Sequence, residues 1–420
     1  MVDTSVIEDR LRSLTLDGIP CGDWLFPDYT GYSICRIPNL VTNLLGKGGD
    51  NQDLLSNNLR EFFPATYDKV VLLILDGLGF YHLRALLQRF PDLNMNSLAN
   101  RGLLLPLSSV FPSTTATALT SCSTGLTPQE HGMVGYRLYL KEIPAITNML
   151  KFSMLGNPRA GSAIEAGIDL STLIPGSTVY ERLAQAGVTS HVIIDRQIAT
   201  SGLSTLLYSG SSKRHGTVTF SDTLVTAKRI MKHARGKLFL TIYWSSLDTI
   251  AHLYGPKAPE YASEFRTIDT AIERELCGGT EDALLLITSD HGFVPMDRSN
   301  YVEIDNDPPL MDGLLFPPLG EPRASYLYVQ EGRKEELAEL ANEQLDGDLL
   351  CVDAHEALNA GLFGRGQARH EAIDRIGDLL IISTGKRAIL HPYKDAVRLK
   401  GMHGGLTAEE MLVPLIASPI

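Results

Sequence analysis

The chain has 420 residues, 44% hydrophobic and 20% charged, which excludes a largely disordered protein and fits one large α/β domain with an insertion, or two to three smaller domains. Its 49 acidic residues outnumber 37 basic ones, for a net charge of −12. No long basic run offsets that balance, so an electrostatic nucleic-acid footprint is not expected, and an anionic phosphate would need metal ions or backbone dipoles to attract it.

The N-terminus, MVDTSVIEDRLRSL, is charged and lacks the apolar core of a signal peptide. Residues 1–65 read as a helix followed by irregular chain with Pro27, Gly31, Pro38 and Gly46, an extension wrapping the core. VVLLIL (Val70 to Leu75) is continuously apolar, as suits a strand covered on both faces. A helix follows over His82–Phe90, then apolar GLLLPL from Gly102. Ser177-Thr178 can cap the helix VYERLAQAG, ending at Gly187, before the strand SHVIID. Residues 222–234 predict a helix, KLFLTIYW a strand, 260–276 a helix and ALLLITSD a strand ending at Asp290. This alternation implies a doubly wound, mostly parallel α/β sheet sandwiched by helices.

The texture changes over 297–375, with Pro308-Pro309 and Pro317-Pro318, a strand in ASYLYV and an exposed helix in RKEELAELANEQL. We read 66–296 with 376–420 as the core and 297–375 as an inserted cap. The core pattern resumes with DLLIIST and ends with EEMLVPLIA. Cys21, Cys35, Cys122, Cys277 and Cys351 form no CxxC and are odd in number, which reads as buried thiols in a reducing compartment. No stretch approaches ~18 uninterrupted apolar residues. A cytoplasmic location without membrane association is the expectation.

Chemistry-bearing residues stand at the ends of the buried strands: Asp76 after LLIL, Asp290-His291 after LLITS, and Asp248 with His252 four residues on, after TIYW. His403 lies in GMHGG. Ligands in open α/β sheets bind beyond the carboxyl ends of strands. Three Asp and three His suit Zn²⁺, or Mn²⁺ with less imidazole preference. Six ligands are too many for one catalytic ion, whereas two ions are the usual apparatus of phosphoryl transfer. Singly, an Asp after a strand is a turn or cap and an HG dipeptide carries no message; the order and placement of all six argue for a site. A nucleophile fits in FPSTTATALTSCSTGLTPQEHG (Phe111 to Gly132), where hydroxyls meet a helix N-terminus with its unpaired N–H groups.

LDGLG, FPSTTATALTSCSTGL…EHG, D-x-x-x-H, SDHG and HGG, in this order, resemble the alkaline phosphatase superfamily, specifically its nucleotide pyrophosphatase/phosphodiesterase branch. The resemblance covers residues 69–136, 237–295 and 395–416. It implies an alkaline-phosphatase-like fold, two zinc ions and a threonine nucleophile that forms a phosphothreonine. Carried over, Asp248, His252 and His403 would hold one ion, and Asp76, Asp290 and His291 the other. Gapless counting back from Thr124-Gly125-Leu126 puts the nucleophile at Thr115, with Thr114 as the neighbouring alternative. His131 is assigned a structural role. Where the family has Lys-Thr-Phe, this chain has Thr114-Thr115-Ala116, which removes the aromatic that flanks a nucleotide base. Where the family has an asparagine against the phosphoryl oxygen, the chain has Tyr136. A small phosphate-ester substrate is implied. A phosphomutase or phosphomonoesterase of the same superfamily is the alternative, and a non-catalytic binding protein a more distant one. The sulfatase C/S-x-P-x-R core is absent, and GLFGRG (Gly361 to Gly366) lacks the strand–turn–helix context of a dinucleotide site.

Overall fold

The computed structural model describes residues 4–20, 22–48, 54–63, 65–277, 283–304, 308–345, 347–393 and 398–420. Its centre is a seven-stranded sheet in the spatial order Leu103–Ser108, Leu412–Pro419, Ala283–Thr288, Lys69–Leu75, Leu238–Trp244, Thr189–Asp195, Lys213–Thr217. Leu412–Pro419 runs antiparallel to both its neighbours, and the strands from Ala283–Thr288 to Lys213–Thr217 are parallel. The apolar run at Val70 is explained by its two faces. Val70, Leu72 and Ile74 enter one hydrophobic cluster, and Val71, Leu73 and Leu75 enter the other. Helices cover both faces, as a strand without polar alternation requires.

The predicted helices form with small shifts at their ends: Phe80–Arg89, Val179–Gln185, Phe220–His233 and Pro259–Glu275. Thr178 caps its helix in a reciprocal box with Glu181. Lys213–Thr217 went unrecognised because KRHGT at a sheet edge carries no apolar pattern.

A second seven-stranded sheet runs in the order Leu349–Asp353, Leu379–Ser383, Ala324–Leu327, Leu319–Glu321, Arg137–Leu140, Ala145–Asn148, Ser153–Met154. Neighbouring strands in it pair antiparallel throughout. The segment 297–375 supplies only part of it, since strands between 137 and 154 and at 379–383 complete it. The strands between 137 and 154 have two to four residues, too short to leave a period in the sequence, whereas Leu379–Ser383, read above as the core pattern resuming, belongs to this second sheet. The N-terminal segment is more regular than predicted. Beyond the helix Thr4–Arg12 it forms Ile37–Leu44 and Leu54–Phe62. Pro38 stands in the first turn of the second helix, where a missing N–H costs nothing, so a helix starts within the stretch read above as irregular chain. Cys35, Cys122 and Cys351 are buried free thiols and Cys277 is half-buried; Cys21 lies outside the described residues. No described helix is long and apolar enough to cross a membrane.

Candidate metal centre

Strand order explains why residues scattered over the chain meet. Ala283–Thr288, Lys69–Leu75 and Leu238–Trp244 are adjacent and parallel, with Ile74 level with Thr288 and Leu75 level with Trp244. Their carboxyl ends therefore open at one edge, bringing Asp290, Asp76 and Asp248 together. Asp248 lies in the first turn of the helix Ser246–Tyr254, and His252 follows one turn later on the same face. His403 arrives by a short antiparallel pairing of Val294–Pro295 with Gly401–Met402, which stacks its ring on His291 with centroids 3.7 Å apart. Gly77 is required at this edge. Its φ is +78°, and a Cβ there would lie 2.6 Å from the Phe293 ring and 3.0 Å from the Asp248 Cα.

The donor set fits cations. Asp76 Oδ1, Asp248 Oδ1 and Asp290 Oδ2 are buried and without a hydrogen-bond partner. Asp76 Oδ1 lies 3.4 Å and Asp290 Oδ2 3.5 Å from His291 Nε2, while Asp248 Oδ1 lies 3.4 Å from His252 Nε2 and 3.9 Å from His403 Nε2. Each imidazole Nδ1 faces a backbone carbonyl: His252 to Gly401 at 2.9 Å, His291 to Gly292 at 3.1 Å and His403 to Ser113 at 3.0 Å. A carbonyl only accepts, so Nδ1 carries the proton and Nε2 presents its lone pair inward. Ligand atoms gather into two groups, Asp248–His252–His403 and Asp76–Asp248–His291. The Asp248 carboxylate thus stands between both. Asp290 is in neither group; its Oδ2 lies 3.5 Å from His291 Nε2, and its Oδ1 accepts from Gly77 N, His291 N and the Ser289 hydroxyl.

Without a cation this cluster is electrostatically costly. Burial, then the charges of Asp290 and Asp248, push the Asp76 carboxyl well above its ordinary range. Burial, then His291 and His252, push the His403 imidazole well below its own. At Asp248 burial acts upward, yet the adjacent His252 prevails and holds the carboxyl low.

Thr115 is the first residue of the helix Thr115–Thr124, and its Oγ1 lies 3.3 Å from His291 Nε2. Thr114 precedes it as the N-cap and stands beside the Glu321 carboxylate. Tyr136 lines the same cavity, and its hydroxyl accepts from Asn148 Nδ2 at 2.5 Å. His131 is fully buried and apart from the cluster. Its Nδ1 accepts from Met133 N at 3.0 Å, so its Nε2–H donates to the Ser121 hydroxyl at 3.0 Å.

Sequence reading missed the residues that support these groups. The Tyr243 hydroxyl donates to Asp76 Oδ2. Arg323 and Glu410, both fully buried, form a two-pronged ion pair at 2.8 and 2.7 Å, and Glu410 also accepts from Gly405 N and Thr407 N. That carboxylate pins the turn after His403, which Ser113 also grips through Gly404 N and Gly405 O. Only the T-x-x-E spacing of Thr407 and Glu410, a capping box, was visible beforehand. Glu321, from the second sheet, enters the cavity beside Thr114; burial raises its carboxyl to about 7 against the donors from Thr114 and the Tyr136 N–H.

The carboxyl edge of the α/β sheet thus gathers acids and imidazoles that could hold a metal, with a hydroxyl at an adjacent helix N-terminus. The family model of type I phosphodiesterase / nucleotide pyrophosphatase matches residues 70–406, and the chain belongs to that family, whose members are phosphoester hydrolases. No curated protein matches the chain at a significant level. Solved structures share the alkaline-phosphatase-like fold. Murine ectonucleotide pyrophosphatase/phosphodiesterase 5 has a TM-score of 0.63 at 18% identity, covering 83% of this chain and 88% of its own. The same murine protein, inactive and in complex with AMP, gives 0.63 at 17%, covering 84% and 88%. Phosphonoacetate hydrolase from Sinorhizobium meliloti 1021, in complex with phosphonoformate, gives 0.62 at 20%, covering 83% and 89%.

Three buried histidines outside the cluster make stability pH-dependent. Burial, with the charges of Lys257, of Arg375 and Arg369, and of Arg137 respectively, lowers His82 to about 4, His131 to about 3 and His391 to about 3. All three stay neutral in the fold, whereas the unfolded chain takes up their protons below ~6.5. Their contribution is therefore complete above pH ~6.5 and is lost as pH falls towards the folded values, by ~1.4 kcal/mol per pH unit for each. Urea unfolding in chelator between pH 6 and 5 should show this slope, reduced by one proton in His131→Gln. An unchanged slope in that variant would contradict the assignment.

Proposed function

We propose that this enzyme hydrolyses phosphodiester or phosphoanhydride bonds of small substrates, using two divalent cations and a phosphothreonine intermediate on Thr115. Zn²⁺ is the preferred ion for this oxygen and imidazole set, with Mn²⁺ as the substitute. Asp248, His252 and His403 would hold one ion and Asp76, Asp290 and His291 the other, with Asp248 near both. When bound, the cations would supply Lewis-acid stabilisation of the developing phosphoryl charge. The Thr115 oxygen attacks phosphorus as the P–O bond to the leaving group breaks, and its proton is lost. Unpaired N–H groups of the Thr115–Thr124 helix face a phosphoryl oxygen. Water then hydrolyses the phosphothreonine and returns the hydroxyl. The AMP and phosphonoformate complexes of the structural neighbours support a small phosphoryl or phosphonyl substrate. The free thiols of Cys35, Cys122, Cys277 and Cys351 support a reducing, cytoplasmic setting.

The observation that carries this reading is the convergence of three unpartnered carboxylate oxygens on three imidazole Nε2 atoms whose Nδ1 protons are already engaged. The test is turnover of bis(4-nitrophenyl) phosphate together with metal analysis. Purified protein should hold about two ions per chain, lose activity in chelator and regain it with Zn²⁺ at neutral pH. Turnover by a verified metal-free protein would overturn the proposal.

A further inference from the structure

We infer that Glu321 is a specificity residue that selects substrates carrying an ammonium close to the phosphoryl group; the inference rests on the function proposed above. Glu321 ends the strand Leu319–Glu321 of the second sheet, and only 5% of it is exposed. The Thr114 hydroxyl and the Tyr136 N–H are neighbours that act on its carboxylate, while Oε1 is buried without a partner. The residue lines a cavity of about 280 Å³ together with Thr114, Thr115, Asp248, His252 and His403. It belongs to neither group of prospective metal ligands.

Its position is rigid. The hairpin pairs Leu319–Glu321 with Ala324–Leu327, the Ser325 hydroxyl donates to Glu321 O at 2.9 Å, and Arg323 is locked to Glu410. A carboxylate oxygen held out of water without a donor is costly, so a ligand that supplies one gains from the pairing.

Thr115 stands against His291. Glu321 lies beside Thr114, with His252 near enough for its charge to act on the carboxylate, and next to the turn after His403, where a Cβ on Gly404 would lie 3.1 Å from the Glu321 Cβ. Tyr301, Leu399 and Met402 complete that wall with apolar surface. Arg137 lines the same cavity and its charge acts on the carboxylate, yet Oε1 is left without a donor; so buried an oxygen favours a charged donor over a neutral hydroxyl.

The test uses two non-hydrolysed probes of the same length, 2-aminoethylphosphonate and n-propylphosphonate. Calorimetric binding to zinc-loaded protein gives a readout independent of turnover, and inhibition of bis(4-nitrophenyl) phosphate hydrolysis gives a second. The aminoethyl compound should bind wild type about tenfold or more tightly than the propyl compound. Glu321→Gln keeps the shape and should erase that gap while propylphosphonate affinity stays within about threefold. Equal binding of both probes to wild type, or a gap that survives in Glu321→Gln, would overturn the inference. Loss of bis(4-nitrophenyl) phosphate turnover in wild type would refute the proposed function and leave the calorimetric comparison decisive for Glu321.

Discussion

Thr115→Ala is expected to lower kcat for bis(4-nitrophenyl) phosphate by at least ~10³-fold, because it removes the attacking atom and nothing else. The Thr115 hydroxyl lies 3.3 Å from His291 Nε2, inside the ligand cluster, whereas Thr114 is the N-cap before it, beside Glu321. Thr114→Ala should therefore cost only a few-fold in kcat (on the order of the ~1 kcal/mol of one hydrogen bond). Metal content and circular dichroism of Thr115→Ala should match wild type, since neither group of ligands includes it. Acid quench during turnover should trap phosphate on the peptide that contains Thr115 in wild type and not in the variant. A reversed ranking, with Thr114→Ala the inactive one, would move the nucleophile by one residue and break the link between helix start and site.

The second large effect is expected at Asp248. Its carboxylate is the one shared by both ligand groups, and its Oδ1 faces His252 and His403 without a hydrogen-bond partner. Asp248→Ala should strip both ions, leaving close to zero per chain and no measurable turnover. His403→Ala removes a ligand from one group only and should retain about one ion, bound by Asp76, Asp290 and His291. Metal analysis of the two variants after dialysis against a weak chelator distinguishes them. If both lost the same amount of metal, the shared position of Asp248 would be wrong, whatever their activities.

Much of this site was legible beforehand for a local reason. A strand buried on both faces shows itself as an unbroken apolar run, and an acid immediately beyond it is conspicuous. Asp76 after VVLLIL and Asp290 after ALLLITS could be found that way, and Asp248 with His252 by a helical spacing of four. The two threonines were different. Spacing confined the proposed nucleophile to adjacent positions, and the structure adds that the Thr115 hydroxyl lies 3.3 Å from His291 Nε2.

The amino-acid sequence by itself determined the chemistry available to this protein: the residue types, their order, and the buried strands that carry most of them to one kind of edge. Those properties are read from burial periodicity and from side-chain identity, which are local. The tertiary structure decided which strands are neighbours and therefore which acids meet. It paired Val294 with Met402 to stack His403 on His291, and brought Glu321 and Arg323 from a different sheet to complete the wall and hold the turn. Such pairings join residues about a hundred or more positions apart, and they are selected by the packing of whole faces against one another, which leaves no periodic trace in the short segments that make the contact.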